Sequence, residues 1–432
     1  MRPYVFALLL ASLFCTAQTP GQNVSGKWIL IVEQKGELVL GARAELRSDD
    51  GKISGKAGTF TVAGTATGED VDLQLIDGGK PQATMQGKRV GQGYEGTAVS
   101  PEGLRFTWRA EPDQEKNGPV VTHAFAPTEF QRYFSPTTKP VLHIHSGDTV
   151  TTWSVDAGGN DAKGKRQSRG GNPLTGPFYV DGALPGDTLV VKLKKIRLNR
   201  DFAASGTEIV NNAVSPGYSA KLSRAKDFSG RWKLDAAGGT ASVAGTSEAL
   251  KNFRVPLVPM LGCIAVAPPG QTVVRTGDSG DFGGNMDYNR LREGTTVYLP
   301  VSQPGALLLL GDGHAAQGDG ELGGDALETS MDFEFSVEVL PDFSMSGPFA
   351  EDADSWMAIG IAGSLEDALR TATTRMARYL ESEHGLNSNE AAMVLGSSMR
   401  YDVADLVGTQ VSIVARLPKS VLAQLPPRKH TL

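Results

Sequence analysis

Between residues 24 and 110 apolar and polar side chains trade places at every second position, and turns break the pattern at short intervals. Val71-Asp72-Leu73-Gln74-Leu75 is one such run, and Gly and Asp-Gly pairs punctuate its neighbours. Strands of this kind joined by tight turns predict an antiparallel meander of six or so members, closing on itself as a small barrel or sandwich. The polar stretch 111–119 (EPDQEKNGP) predicts a linker. From 120 to 345 the pattern stays β, with strand candidates at Leu142-His143-Ile144-His145, Leu189 to Leu193, Thr296 to Leu299 and Phe333 to Val339. Long glycine-rich loops separate them and hold most of the acids and histidines, which is where function concentrates on a β scaffold. Within 346–425 the period changes. Ser364-Leu-Glu-Asp367 has the form of a capping box, apolar residues follow at 365, 368, 369, 372, 376 and 380, and Gly385 sits at the C-cap position. A helix over 365–384 is expected, then a shorter one over 389–397, and a last strand over 410–417.

The fold class this predicts is mainly β, or α+β: a small N-terminal antiparallel barrel or sandwich at 24–110, then a β-sandwich-like domain with a C-terminal α/β part. At the N-terminus Arg2, an apolar run from Tyr4 to Phe14 and small residues up to Ala17 predict an export signal over 1–17. Lipidation at Cys15 is the alternative, disfavoured by the bulky Leu13 and Phe14 before it. The expected location is periplasmic or secreted, with no membrane insertion after cleavage. Cys263 is then the lone cysteine, so no intramolecular disulfide can form. With a net charge of −6 and no lysine or arginine block, the chain has no electrostatic footprint for nucleic acid or anionic lipid. Small or neutral partners fit.

Candidate chemistry gathers in GDGHAAQGDGE, residues 311–321, directly after the apolar run 306–310. Carboxylates and an imidazole on a glycine-rich loop suit a hard or borderline cation, and a solvated turn whose acids cap nearby amides fits the same spacing. His143 and His145 alternate on one strand and share a face, as ligands or as a solvated edge. Three short look-alikes carry less. Gly277-Asp278-Ser279-Gly280 copies a protease nucleophile tetrapeptide without its histidine segment, Gly396-Ser397-Ser398 lacks a glycine-rich run, and Cys263 in an apolar context reads as an inert buried thiol.

Longer motifs are more specific. SGDTVTTWSVDAGGND at 146–161, GNPLTGPFYVDGALPGDTLVVKL at 171–193, GCIAVAPP at 262–269, GGNMD at 283–287 and LPVSQPGALLLLGDGHAAQGDGE at 299–321 follow one another as in the acetamidase/formamidase family, which the chain resembles over roughly 120–425. The resemblance implies hydrolysis of short amides to ammonia and a carboxylate, and homo-oligomers. It brings Asp156, Asn285, Asp287, His314, Gln317, Asp319 and Glu321 into one site, with Glu328 close behind. It covers neither residues 24–110 nor the export signal.

On that footing Asp156, His314 and Asp319 are expected to hold a divalent metal, zinc ahead of calcium because of the imidazole. Glu321 is expected to carry the proton, with Glu328 as the next carboxylate, Asn285 to face the oxyanion, and Gln317 and Asp287 to bind substrate. Two other readings stay open: a secreted, non-catalytic metal- or ligand-binding β protein, and a hydrolase of a larger amide.

Overall fold

The structure, a computed structural model, describes residues 23–113, 119–222, 229–245 and 248–430. The export signal expected at 1–17 and most of the linker expected at 111–119 lie outside the described residues. No described helix is long and apolar enough to cross a membrane. The chain divides into two compact units, Met1–Asp113 and Gln114–Leu432.

The first unit is a closed barrel of eight antiparallel strands, from Gly26–Gln34 to Arg105–Pro112, each paired with its neighbour in sequence. The first strand closes on the last, with Trp28 opposite Pro112 and Val32 opposite Trp108. The expected six strands become eight because Glu37–Asp49 and Lys52–Ala57 fold back at Asp50-Gly51 as separate strands. Alternation points Val71, Leu73 and Leu75 inward, where they meet Leu30, Met85, Tyr94 and Trp108 in one buried cluster. The tryptophan tips stay bonded: the Trp28 indole donates to the Val24 carbonyl at 2.9 Å and that of Trp108 to Gln86 and Thr97, each at 3.2 Å. Side chains fill the interior.

The second unit packs a nine-stranded sheet against a six-stranded one. Thr188–Leu198 and Met331–Leu340 lie at the middle of the larger sheet, and Leu308–His314 and Met260–Ala265 at the middle of the smaller. Leu189, Val191, Phe333 and Phe335 meet Phe178, Ile264, Leu308 and Leu310 between them. Val190, Tyr298, Trp356 and Ala358 point the other way, under a helix, so these strands read as unbroken apolar runs because both faces are covered.

That helix, Leu365–His384, begins at Ser364, whose hydroxyl accepts from the Asp367 amide, and ends at Gly385 in the left-handed conformation. It lies close to the strand Ser355–Ala362. A Cβ on Gly360 would press on the Ala368 backbone and come within 2.8 Å of the Ala372 Cβ, so bare backbone lets the two elements meet. A second helix, Ser388–Ser398, is capped by Asn387 and Glu390, and the strands Arg400–Asp405 and Val411–Pro418 then extend the nine-stranded sheet at its edge. A four-stranded sheet begins at Phe202–Ala204.

Candidate active site

The strand Leu308–His314 carries the first part of the site. Its alternation puts Asp312 and His314 on one side and Gly311 and Gly313 on the other, where Gly313 packs on Met331. Gly262, on the neighbouring strand Met260–Ala265, forms the floor. A Cβ there would stand 2.8 Å from Asp312 Oδ2, 2.9 Å from His314 Cε1 and closer still to Asp287 Oδ1. Asp287 arrives on the turn after Gly283–Asn285, its amide donating to the Gly262 carbonyl at 3.2 Å. Glu321 and Glu328 come from the segment that follows the strand, and Asp405 from the edge of the larger sheet. Ala204 holds Glu328 through reciprocal backbone bonds of 2.7 and 3.1 Å.

Asp287, Asp312, His314, Glu321, Glu328 and Asp405 are each at most 8% exposed. Three overlapping sets of their ligand atoms gather within 4.8 Å: Asp287 with Asp312 and His314, His314 with Glu321 and Glu328, and Asp287 with Glu321 and Asp405. His314 Nε2 is 3.1 Å from Glu328 Oε1, 3.6 Å from Asp312 Oδ2 and 3.9 Å from Asp287 Oδ1. Asp287 Oδ1, Asp312 Oδ1, His314 Nε2 and Glu328 Oε2 are buried without a well-aligned hydrogen bond. Buried polar atoms without partners are costly, and four on one cluster describe a receptor for a cation. Asn172, Asp287, Asp312 and Glu321 all adopt left-handed φ, between 41° and 60°, a strain that non-glycine residues carry mainly at functional sites.

Electrostatics agree. Burial, reinforced by neighbouring carboxylates and only partly offset by His314, pushes Glu321 up to about 8 and Glu328 up to about 7. Burial also lifts Asp405 to about 7 and Asp287 well above the usual carboxylate range. Burial opposes the imidazolium of His314, but Glu328 and Asp312 outweigh it and hold its pKa above the ordinary value. Burial thus favours the protonated forms of Glu321, Glu328, Asp405 and Asp287.

The expected site residues divide. The structure brings Asp287, His314, Glu321 and Glu328 together as donors, and sets Gln317 and Asn285 around them. Gln317 Nε2 donates to the carbonyls of Asp287 and Ala404, which turns its Oε1 to His314 Nδ1 at 2.8 Å. The ring is thereby held with Nε2 facing inward, so Gln317 positions a donor. Asn285 donates to Asp287 Oδ2 and accepts from Asn172, which also donates to Asp312 Oδ2 at 3.0 Å. One Nδ2–H of Asn285 goes to Asp287 and its Oδ1 accepts from Asn172, which fixes the side chain beside the donors.

Asp156 and Asp319 stand outside the cluster. Asp156 is paired at 2.8 Å with Arg200, a buried guanidinium that also donates to the carbonyls of Glu328 and Phe202 and to the Thr329 hydroxyl. Asp319 is exposed and accepts from Asn289 at 2.8 Å. The donor sets contain Asp312 and Asp405 in their stead. His143 and His145 flank Asp181 at 2.9 and 3.5 Å, apart from the donor sets. Cys263 is buried, its thiol pushed well up by burial and then by Asp312 and Asp287. The Ser397 hydroxyl donates to Met393 within its helix.

A β sandwich with a carboxylate–histidine cluster buried between its strands is the class of protein that fold and site define. Within that class the chain is similar to the acetamidase/formamidase family, whose family model matches residues 270–424. A Schizosaccharomyces pombe protein named as a candidate formamidase is 26% identical over 191 residues, 34% of this chain and 47% of that protein; the chain thus matches about half the length of this curated relative. The crystal structure of the acetamidase/formamidase predicted in the thermophile Thermoanaerobacter tengcongensis is similar with a TM-score of 0.61 at 27% identity, over 71% of this chain and 98% of that one. An acetamidase from Bacillus halodurans gives 0.60 and 28%, over 70% and 99%. One from Yersinia enterocolitica gives 0.61 and 27%, over 71% and 95%.

Proposed function

We propose that the chain is an exported amidohydrolase, cleaving the C–N bond of linear amides to ammonia and a carboxylate at this cluster. The observation that carries the reading is the set of overlapping buried donor groups around His314, in which Asp287 Oδ1, Asp312 Oδ1, His314 Nε2 and Glu328 Oε2 lack a well-aligned hydrogen bond, on a fold shared with acetamidases. The donors fit a divalent metal. Asp287, Asp312 and His314 suit zinc, and the all-carboxylate set Asp287, Glu321 and Asp405 suits a harder ion such as calcium. When bound, such an ion polarises a carbonyl and makes water more acidic.

The chain's own residues handle protons and position. The Ala326 amide donates to Glu321 Oε1 at 2.7 Å and to Glu328 Oε1 at 3.1 Å, fixing both side chains. Glu321 is the proton carrier of this reading. Its carboxylate takes a proton from the attacking water, and its acid form returns that proton to the leaving nitrogen. Gln317 keeps the His314 ring in one tautomer. The deep burial of the cluster excludes bulk water. Export through residues 1–17, a periplasmic or secreted location and a homo-oligomeric state belong to the same proposal.

The test is ammonia release from formamide and acetamide by purified protein, with and without chelator, beside Glu321→Gln. A kcat fall of roughly 10² to 10⁴ at unchanged metal content supports the proton-carrier role. Loss of metal in the variant makes Glu321 a ligand instead. Failure to release ammonia from any amide refutes the activity.

A further inference from the structure

A cavity of about 730 Å³ is lined in part by segments that also carry donors of the cluster. The same two segments build both. In 321–328, Glu321 and Glu328 turn inward while Gly323, Gly324 and Asp325 line the cavity; likewise Asp405 turns inward while Leu406 and Gly408 line it. Asp325 looks both ways: it is exposed in the cavity, yet the Asp312 carboxylate helps burial to raise its pKa. The opposite wall is the stretch 206–212, held in place by the Val210 amide on the Leu322 carbonyl at 3.0 Å and by Asn212 on the Leu406 carbonyl at 3.0 Å.

Volume and chemistry both bear on the substrate. Formamide or acetamide, a few atoms each, would fill little of a space in the range of about 300 to 1,000 Å³ that accommodates drug-sized ligands. Aliphatic Ile209, Val210 and Leu406 share the walls with polar Asn211, Asn212 and Ser219. The charged lining residues among the described ones are acids, Glu208 and Asp325, with no lysine or arginine to receive a carboxylate.

We infer that the substrates are amides whose acyl chain extends several atoms beyond acetamide and carries no negative charge, held in this cavity with the reacting carboxamide at the cluster. This rests on the amidohydrolase reading of that cluster. It differs from that reading in assigning a separate binding surface for the part of the substrate that does not react.

Hydrolysis of acetamide, hexanamide, 6-aminohexanamide and adipamate by the full-length, metal-loaded protein tests the inference. The expected kcat/KM for hexanamide exceeds that for acetamide by at least about tenfold, since each methylene buried against Ile209, Val210 and Leu406 contributes up to several-fold. Adipamate, matched in length but carboxylate-ended, falls at least about tenfold below hexanamide, and 6-aminohexanamide does not. Ile209→Trp, at an exposed cavity position, lowers kcat/KM for hexanamide about tenfold more than that for acetamide. Equal rates for acetamide and hexanamide, a preference for adipamate, or a uniform loss in Ile209→Trp overturns the cavity assignment while leaving the amidase reading standing. Absence of ammonia from all four amides sinks both.

Discussion

Replacing Gly262 by alanine adds one carbon at the floor of the donor cluster and nothing elsewhere. The new Cβ stands within 3.0 Å of three groups, Asp287 Oδ1, Asp312 Oδ2 and the His314 ring, where ordinary contacts need about 3.5 to 4.0 Å. Each must retreat by about half an ångström or more. Asp287 and Asp312 are themselves pinned by Asn285 and Asn172, and His314 by Gln317, so little slack exists. Overpacking of this kind costs about 1 to 3 kcal/mol of stability, and misplacement approaching an ångström costs about 10² in rate. Gly262→Ala is therefore expected to fold, to lose metal affinity, and to release ammonia about 100-fold more slowly. Urea denaturation, elemental analysis and kcat/KM read the three effects. Gly396→Ala is the control: nothing lies within 4 Å of that Cβ, and alanine favours the helix Ser388–Ser398. Parental activity and metal content in Gly262→Ala would refute the placement of the site against this backbone.

The pH response of the chelated protein follows from carboxyls whose folded pKa values, about 7 to 8 for Glu321, Glu328 and Asp405, lie above their unfolded ones. Their contribution is complete below about pH 4 and is lost as pH rises toward 8, so the melting temperature should fall over that window in chelator and recover on adding a divalent cation. A flat profile with chelator refutes the buried charge cluster. Arg200→Met leaves Asp156 buried without its partner and should cost roughly 3 to 5 kcal/mol by urea denaturation; a change below about 1 kcal/mol refutes the pairing. A chain beginning at Pro119 is expected to fold and hydrolyse amides, and a folded but inactive product would show that the barrel completes the site.

The helix Leu365–His384 was legible because its signals are local: a cap, a spacing of three and four, a terminal glycine. The barrel strands were legible for the same reason, their alternation being visible within each run. Asp312 was missed although it lies in the stretch that drew attention. Its glycines suggested a loop, yet Leu308–His314 continues as a strand, and reading its two-residue period to the end would have paired Asp312 with His314 and passed over Asp319. Asp405 had no such signal. It is one acid in an edge strand, made a donor only by sheet order. Asp156 fails as a ligand for an equally non-local reason, since nothing near it in sequence announces that Arg200 folds against it.

Because the donors come from the turn after Asn285, the strand ending at His314, the segment to Glu328 and an edge strand near the end of the chain, no fragment that stops short of that edge strand contains the full donor set. Synthesis delivers Asp405 last, after the carboxylates it must join have long been made. A nascent or half-unfolded chain therefore presents only scattered acids, each a weak and exchangeable perch for any cation. Under the proposed metal-binding function, tight capture waits until the larger sheet has formed to its far edge, and retention of metal becomes a readout of finished folding.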